Sequence, residues 1–308
     1  NNHNNHYGYI FSMKIFYNPH FLLTFTSLFW ALNTIAGRAA VGEVSPLLIV
    51  SVRWFFVSLI LTLICRQELI EAWVILSKRI KWLIMMGLLG FTGFNSSYYI
   101  AAHDTIAINL GIVQGTMPAF IIIIARIWLR EEIKLIQLFG VLITFVAVLV
   151  VVSAGDINGL LKFKLNKGDV IMILACTLYA VYAVGLRKKP KIGALTLLTF
   201  FSYIAFIGSV PGLFYEALSG NTILPGNKGI LILAVIIIFP SFLAQIFFMK
   251  GVEKIGPSRS GLYTNLVPVF SSLLAVLFLG ELFQIYHLIS LCLIFLGIYL
   301  FEYKQKQY

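Results

Sequence analysis

The chain has 308 residues, of which 60% are apolar and 11% are charged, and its formal net charge is +11. Water-soluble domains carry about 25% charged residues, so this composition excludes a soluble globular protein. The basic residues lie in short clusters between apolar runs and form no continuous stripe, which argues against a nucleic-acid-binding surface. A helix that crosses a hydrocarbon layer of about 30 Å needs about 20 apolar residues. The sequence therefore predicts an all-α integral membrane protein.

Apolar runs and their interruptions predict ten transmembrane helices. They fall at residues 21–39, 46–65, 82–102, 106–128, 133–153, 169–187, 194–216, 229–249, 258–280 and 284–301. Residues 1–20 form a polar tail, in which His3 and His6 are expected to be disordered rather than metal ligands. A connecting loop is predicted at 154–168 and a short tail at 302–308.

Basic residues are distributed unequally between the two sides of these predicted helices. Of the 23 Lys and Arg residues, 17 fall on the side of the N-terminus, five fall on the other side, and Arg53 lies inside a helix. Basic loops stay in the cytoplasm. We therefore expect a multi-pass protein of the inner or plasma membrane with both termini in the cytoplasm.

The two halves of the sequence, 21–153 and 169–301, resemble each other. At an offset of 150 residues, Pro118 falls on Pro268 and Glu131 on Glu281, and at an offset of 149 Trp30-Ala-Leu-Asn33 falls on Tyr179-Ala-Val-Tyr182. The first helix thus has a counterpart in the sixth, so we expect it to be retained rather than cleaved as a signal peptide. Five helices per repeat is an odd number, which predicts two repeats of opposite orientation, as in secondary transporters.

The stretches 101–131 and 251–281, each with a Pro inside a helix and a Glu at its end, are similar to the EamA-type drug/metabolite transporter superfamily. The resemblance covers nearly the whole chain after residue 20. It implies a ten-helix carrier whose central cavity is lined by helices 1, 3, 4, 6, 8 and 9, and which exports or exchanges metabolites without ATP.

Polar residues inside membrane helices usually face a cavity or one another. At about 1.5 Å per residue, Asn33, Asn95 and Gln114 are expected in the outer half of the membrane. Their repeat partners place Tyr182, Gln245 and Asn265 in the inner half, which predicts two polar clusters on either side of the midplane. The candidate cavity residues are Trp30, Asn33, Arg53, Asn95, Tyr98, Gln114, Tyr179, Tyr182, Gln245, Tyr263 and Asn265.

Several of these residues allow two interpretations. Arg53 either attracts an anionic or carboxylate-bearing substrate, or is a structural charge that extends outward to the membrane surface or pairs with a helix carbonyl, and the structural interpretation is slightly favoured. The aromatic residues suit amphipathic or cationic solutes, although packing explains them nearly as well. Pro118 and Pro268 are either helix breaks that contact substrate or structural kinks. Among titratable residues, His103 and Asp104 suit proton coupling, although solvated turn residues are the simpler interpretation.

The predicted function is therefore gradient-driven transport of small organic metabolites. The expected partners are a small-molecule substrate and the lipid bilayer, and a proton is the candidate for a coupling ion, whose identity the sequence leaves open. The alternatives are a channel or a membrane-embedded enzyme. No phosphate-binding GxxxxGK[ST] loop occurs, and the predicted helices contain no acidic pair and no His–Asp–Ser set. We expect no catalytic residues, metal or cofactor.

Overall fold

The computed structural model describes residues 18–104, 114, 117–130, 132, 134–152, 167–279 and 284–302. Within these ranges the chain is helical and contains no strand. The helices of the first repeat are α1 (Pro19–Ala39), α2 (Pro46–Ile64), α3 (Arg66–Leu76), α4 (Ile80–Gly87), α5 (Phe94–Asp104), α6 (Met117–Leu129) and α7 (Leu135–Val152). Those of the second are α8 (Lys167–Gly185), α9 (Ala194–Leu218), α10 (Asn227–Ile236), α11 (Ala244–Ile255), α12 (Pro257–Leu262), α13 (Leu266–Leu279) and α14 (Ile285–Glu302).

Four helical segments in the described ranges are long and apolar enough to cross a membrane: Pro46–Ile64, Val170–Lys188, Ala194–Leu218 and Asn227–Ile255. The predicted helix 46–65 corresponds to α2, and the predicted helices 229–249 and 258–280 correspond to α10–α11 and α12–α13. The predicted helix 106–128 is described only at Gln114 and from Met117 onward. The count of ten transmembrane helices therefore stays a prediction, whereas the all-helical fold is confirmed.

Helix α3 lies where the sequence predicts only a connection between transmembrane helices. Its Ala72 and Leu76 are buried, whereas Ile70, Trp73 and Val74 are exposed. Arg66, Glu68 and Glu71 interrupt the apolar run, which is why no span is predicted there. The amphipathic pattern suits a helix that lies at the surface of the membrane.

The two repeats run in opposite directions through the bundle. At one end, here called the basic end, Arg79 donates to the carbonyl of Lys188 at 3.2 Å and Lys189 pairs with Glu253 at 3.3 Å. At the opposite end, Glu43 pairs with Lys228 at 3.0 Å. The rod α4–α5 starts beside Arg79, whereas the rod α10–α11 starts beside Lys228. Equivalent rods are therefore antiparallel, as an inverted repeat requires.

Each of these two rods contains a π-helical turn at an equivalent position. The turns are Leu88–Gly93 and Ile237–Leu243, and an offset of 150 residues superimposes the first on 238–243. A π turn inserts one residue into a helix and rotates the side chains that follow it. The side chains rotated in this way include Asn95 and Gln245, which occupy matching positions after their turns.

Glycines of the first π-turn rod allow close contact with the second repeat. A Cβ added at Gly90 would lie 2.3 Å from the ring of Tyr182, and one added at Gly87 would lie 2.7 Å from Ile204. Both distances are shorter than any side chain tolerates, so α4 and its π turn approach α8 and α9 only because these positions lack a side chain. Glycine commonly permits this kind of close helix packing in membrane proteins.

Candidate solute cavity

A cavity lies near the centre of the bundle and is lined by both repeats. Including open solvent, the space between its walls is about 390 Å³, but the cavity proper has a volume of about 20 Å³, which holds about one water molecule, so a larger solute requires the walls to separate. Its lining residues are Trp30, Asn33, Thr34, Arg53, Phe94, Asn95, Tyr98, Gln114, Met117, Tyr179, Pro240 and Gln245. The walls thus combine amide side chains, aromatic rings and a single formal charge.

Residues at equivalent positions of the two repeats meet in this cavity. Trp30 and Tyr179 pack edge to face with ring centroids 5.6 Å apart. Asn95 and Gln245, which follow the two π turns, also line it together. The approximate two-fold axis that relates the two repeats therefore passes through the cavity.

This arrangement differs from the two separate polar clusters expected from the sequence. Gln245 was assigned to the inner half, apart from Asn33, Asn95 and Gln114, yet all four line one cavity. The physical reason is that both π turns lie near the middle of their rods. The amides that follow them therefore approach the centre of the bundle from opposite ends.

Arg53 lies on α2, is 2% exposed, and is held by neutral acceptors from two other rods. Its Nε donates to Ser241 Oγ at 2.7 Å, and its Nη1 donates to Asn95 Oδ1 and to Tyr99 Oη, both at 2.9 Å. Its guanidinium carbon lies 5.8 Å from the centre of the Tyr99 ring. The charge is directed into the protein and does not reach toward the membrane surface.

The acceptors of Arg53 are themselves fixed by further hydrogen bonds. Tyr99 donates to Asn33 Oδ1 at 2.7 Å, and Asn95 donates to the carbonyl of Phe91 at 2.6 Å. Ser241 donates to the carbonyl of Ile236, five residues earlier, a spacing that belongs to its π turn. These bonds connect α1, α2 and both π-turn rods around one guanidinium.

Gln245 contrasts with the other amides because it is held by no such network. It is 4% exposed, and its Oε1 has no hydrogen-bond partner among the described residues. A buried amide without a partner is costly. Its position in the cavity wall offers a ligand both a donor and an acceptor.

Three sequence candidates do not line this cavity. Tyr182 packs instead against Gly90, Phe91 and Phe201 in the core. Tyr263 and Asn265 form a 3-10 turn between α12 and α13 and are buried there. An offset between repeats identifies equivalent positions, but it does not fix which side of a helix faces the cavity.

The two predicted helix breaks are placed differently. Pro268 is buried near the start of α13 and does not line the cavity. Pro118 lies in α6, but its side chain is outside the described part of the chain. Pro240, which the sequence analysis did not single out, lies inside the second π turn and does line the cavity. The sequence feature that could have identified Pro240 is its position inside an apolar run, five residues before the polar Gln245.

The titratable pair at the end of α5 lies outside the cavity. His103 lines a separate shallow depression with Tyr99 and Pro46. The carboxylate of Asp104 lies 3.9 Å from the exposed Lys167. Glu131 and Glu281, which match between the repeats, lie outside the described residues.

The cavity is closed toward the basic end by contacts of α1 with the second repeat. Ser27 donates to the carbonyl of Tyr263 at 2.6 Å, and Thr26 donates to that of Ala244 at 3.3 Å. Leu23 packs onto the bare backbone of Gly251, where an added Cβ would lie 2.4 Å away.

Comparison with known proteins identifies the family. A family model described as the EamA-like transporter family matches residues 19–153 and 166–303, one match for each repeat. A solved crystal structure superimposes on 91% of this chain and 94% of its own with a TM-score of 0.71 at 18% identity. At that identity the superposition shows a shared fold.

Curated relatives are named as transporters. "Uncharacterized transporter YyaM" of Bacillus subtilis (strain 168) is 27% identical over 218 residues, which are 70% of each chain. "Uncharacterized transporter YetK" of the same organism is 25% identical over 280 residues, covering 89% of this chain and 84% of its own. An "Uncharacterized transporter" of Archaeoglobus fulgidus is 26% identical over 301 residues, covering 94% and 98%.

Proposed function

Because this chain belongs to the EamA-like transporter family, we propose that it is a gradient-driven carrier that moves small organic metabolites across the cell membrane. The carrier works by alternating access and performs export or exchange. The supporting observation is the central cavity, which is lined by equivalent residues of two oppositely directed repeats, Trp30 with Tyr179 and Asn95 with Gln245. In such a protein, rocking one repeat against the other exposes the same site to each side in turn.

The contacts around α1 suggest how one side is closed. The hydrogen bonds of Thr26 and Ser27 and the Leu23–Gly251 contact join the first half of α1 to α11 and the following turn. If the basic end faces the cytoplasm, as the charge distribution predicts, this arrangement is closed to the cytoplasm. Opening that side requires α1 to separate from the second repeat.

Flux through purified protein in liposomes tests this proposal. The vesicles are loaded with labelled amino acids, organic acids and amines, and exchange is measured against the same solutes outside. A carrier gives saturable flux that accelerates when solute is present on the far side, and the solute is recovered chemically unchanged. Flux that rises linearly with concentration would indicate a channel, and chemical conversion would indicate an enzyme. Either result would refute the carrier.

A further inference from the structure

The charge of Arg53 has no counter-ion among the described residues. Its three acceptors, Ser241, Asn95 and Tyr99, are neutral. Neutral oxygens satisfy N–H groups, but they do not neutralise a cation that is 2% exposed in a medium of low dielectric constant. Burying such a charge without a partner is costly, so the cavity carries a field that favours an anion.

The described carboxylates at the same end of the bundle are engaged elsewhere. Glu43 pairs with Lys228 at 3.0 Å, and Asp104 lies 3.9 Å from Lys167. Glu216 accepts the backbone N–H groups of Leu47 and Leu48 at the start of α2. None of these three carboxylates lines the cavity, so none of them neutralises Arg53. Its positive charge can therefore interact with a ligand.

The free N–H donors of the guanidinium further restrict which ligand group Arg53 can bind. Arginine has five N–H donors, and the three hydrogen bonds of Arg53 use Nε and Nη1. Nη2 has no acceptor in the described part of the chain. The two N–H groups of Nη2 can donate charge-assisted hydrogen bonds to an anion such as a carboxylate.

The other residues that line the cavity determine which chemical groups the rest of the ligand can carry. Trp30, Phe94, Tyr98 and Tyr179 supply aromatic surface, and Gln245 supplies an amide whose Oε1 has no partner among the described residues. Because Arg53 is the only charged side chain among the described residues that line this cavity, it balances one negative charge and disfavours dianions. It also disfavours the cationic solutes that the aromatic residues alone would suit, because like charges repel strongly at low dielectric constant.

We propose that the carrier recognises small organic monocarboxylates with an aromatic or bulky apolar body, with the carboxylate at Arg53 and the body against Trp30 and Tyr179. This rests on the proposed transport function and specifies its substrate class. Asn33 and Asn95 hold Arg53 and Tyr99 in place through their hydrogen bonds, and Gln245 contacts the ligand on the opposite side.

Three probes with one apolar body and different head groups test the proposal: phenylacetate, phenylacetamide and phenethylamine. Each is added at millimolar concentration to the purified full-length protein, and the apparent Tm is measured. A ligand that binds the folded state raises it. We expect phenylacetate to raise Tm, the neutral amide to act only weakly, and the amine to have no effect.

Substitutions at Arg53 and Gln245 make the test specific. Arg53→Lys keeps the charge but loses the guanidinium that Ser241, Asn95 and Tyr99 hold in place, and it should weaken phenylacetate binding about ten-fold. Arg53→Gln should abolish it. Gln245→Glu retains Arg53 and supplies an internal carboxylate, so it should remove the preference for phenylacetate even if Arg53→Gln fails to fold.

The outcomes separate the substrate class from the carrier function. Equal or stronger stabilisation by phenethylamine, an unchanged phenylacetate response in the Arg53 variants, or no response to any probe would overturn the monocarboxylate assignment. Saturable flux of phenethylamine in preference to phenylacetate would overturn it while leaving the carrier intact. Tight phenylacetate binding without flux in liposomes would support the site and refute transport.

Discussion

Arg53 Nε donates a hydrogen bond to Ser241 Oγ at 2.7 Å, which joins helix α2 of the first repeat to the π turn of the second. A hydrogen bond that involves a charged group contributes about 1.5–3 kcal/mol, and this one spans 188 positions of sequence. It therefore connects elements that must shift relative to each other if the repeats rock.

The Ser241→Ala variant should lower the apparent Tm by a few degrees, because it leaves the buried Nε of Arg53 without its acceptor. Ser290→Ala is the matched control: Ser290 is also fully buried, but its Oγ has no partner among the described residues. The control should leave Tm unchanged or raise it slightly. Equal losses in both variants would show that the Arg53–Ser241 bond contributes no special stability.

A second prediction concerns Glu216, which lies on α9 and is 6% exposed. Its carboxylate accepts the N–H groups of Leu47 at 3.2 Å and Leu48 at 3.1 Å, in the first turn of α2. The first N–H groups of a helix have no partner within it and carry partial positive charge. Glu216→Ala should therefore destabilise the protein by about 1–2 kcal/mol, measured as a lower Tm.

Glu253→Ala serves as the control for that experiment. Glu253 forms an ion pair with Lys189 at 3.3 Å, but its side chain is 53% exposed. Exposed pairs of this kind contribute about 0–1 kcal/mol, so the control should change Tm much less. A larger effect at Glu253 than at Glu216 would contradict the assignment of Glu216 as the cap of α2.

The contact between Gly90 and Tyr182 gives a third prediction. A methyl group at Gly90 would overlap the Tyr182 ring at 2.3 Å, and that ring is held between Phe91 and Phe201. Gly90→Ala should cost about 1–3 kcal/mol, as overpacking does, and should reduce yield of folded protein. Gly226→Ala is the control, because nothing lies within 4 Å of its added Cβ. Comparable Tm values for both variants would contradict close packing at Gly90.

The sequence predicts the positions of helices well because the thickness of the membrane fixes how long an apolar segment must be. A run of apolar residues that begins after Ser45 and ends at Cys65 predicts a helix at 46–65, and α2 spans Pro46–Ile64. The offset between repeats also pairs Trp30 with Tyr179, and the two rings are in contact. The length of an apolar run, its hydropathy and the internal duplication can all be read from the sequence without knowing how the helices pack.

The residues that meet at the site are harder to predict from the sequence, because they depend on how each helical rod is rotated about its axis and packed against the others. Neither π turn has a signature that separates it from ordinary helix, so the convergence of Asn95 and Gln245 was not predicted. The acceptors of Arg53 come from positions 95, 99 and 241, on two other rods. The slight preference for a structural Arg53 stays a prediction, because the sequence of its own helix does not reveal these partners.

A fourth prediction separates transport from stability at the two equivalent amides. Gln245→Leu removes no hydrogen bond within the described chain, so we expect an unchanged or higher Tm together with loss of flux in liposomes. Asn95→Leu should lose flux and also lower Tm, because Asn95 accepts from Arg53 and donates to the Phe91 carbonyl. Full flux in both variants, with both proteins present in the membrane, would contradict a role for these amides in the solute path.

The last prediction concerns orientation, and it tests the opposite placement of Lys188 and Lys228. Lys188 lies at the basic end, where its Nζ is 5.1 Å from the Trp128 ring centre, whereas Lys228 pairs with Glu43 at the other end. In a variant with Cys65, Cys176 and Cys292 replaced by Ala, Lys228→Cys should react with an impermeant maleimide added to intact cells. Lys188→Cys should react only after the membrane is permeabilised, because basic segments stay in the cytoplasm. Labelling of both positions from the same side would contradict the opposed repeats, since α8 and α10 would then no longer end and begin on different faces of the membrane.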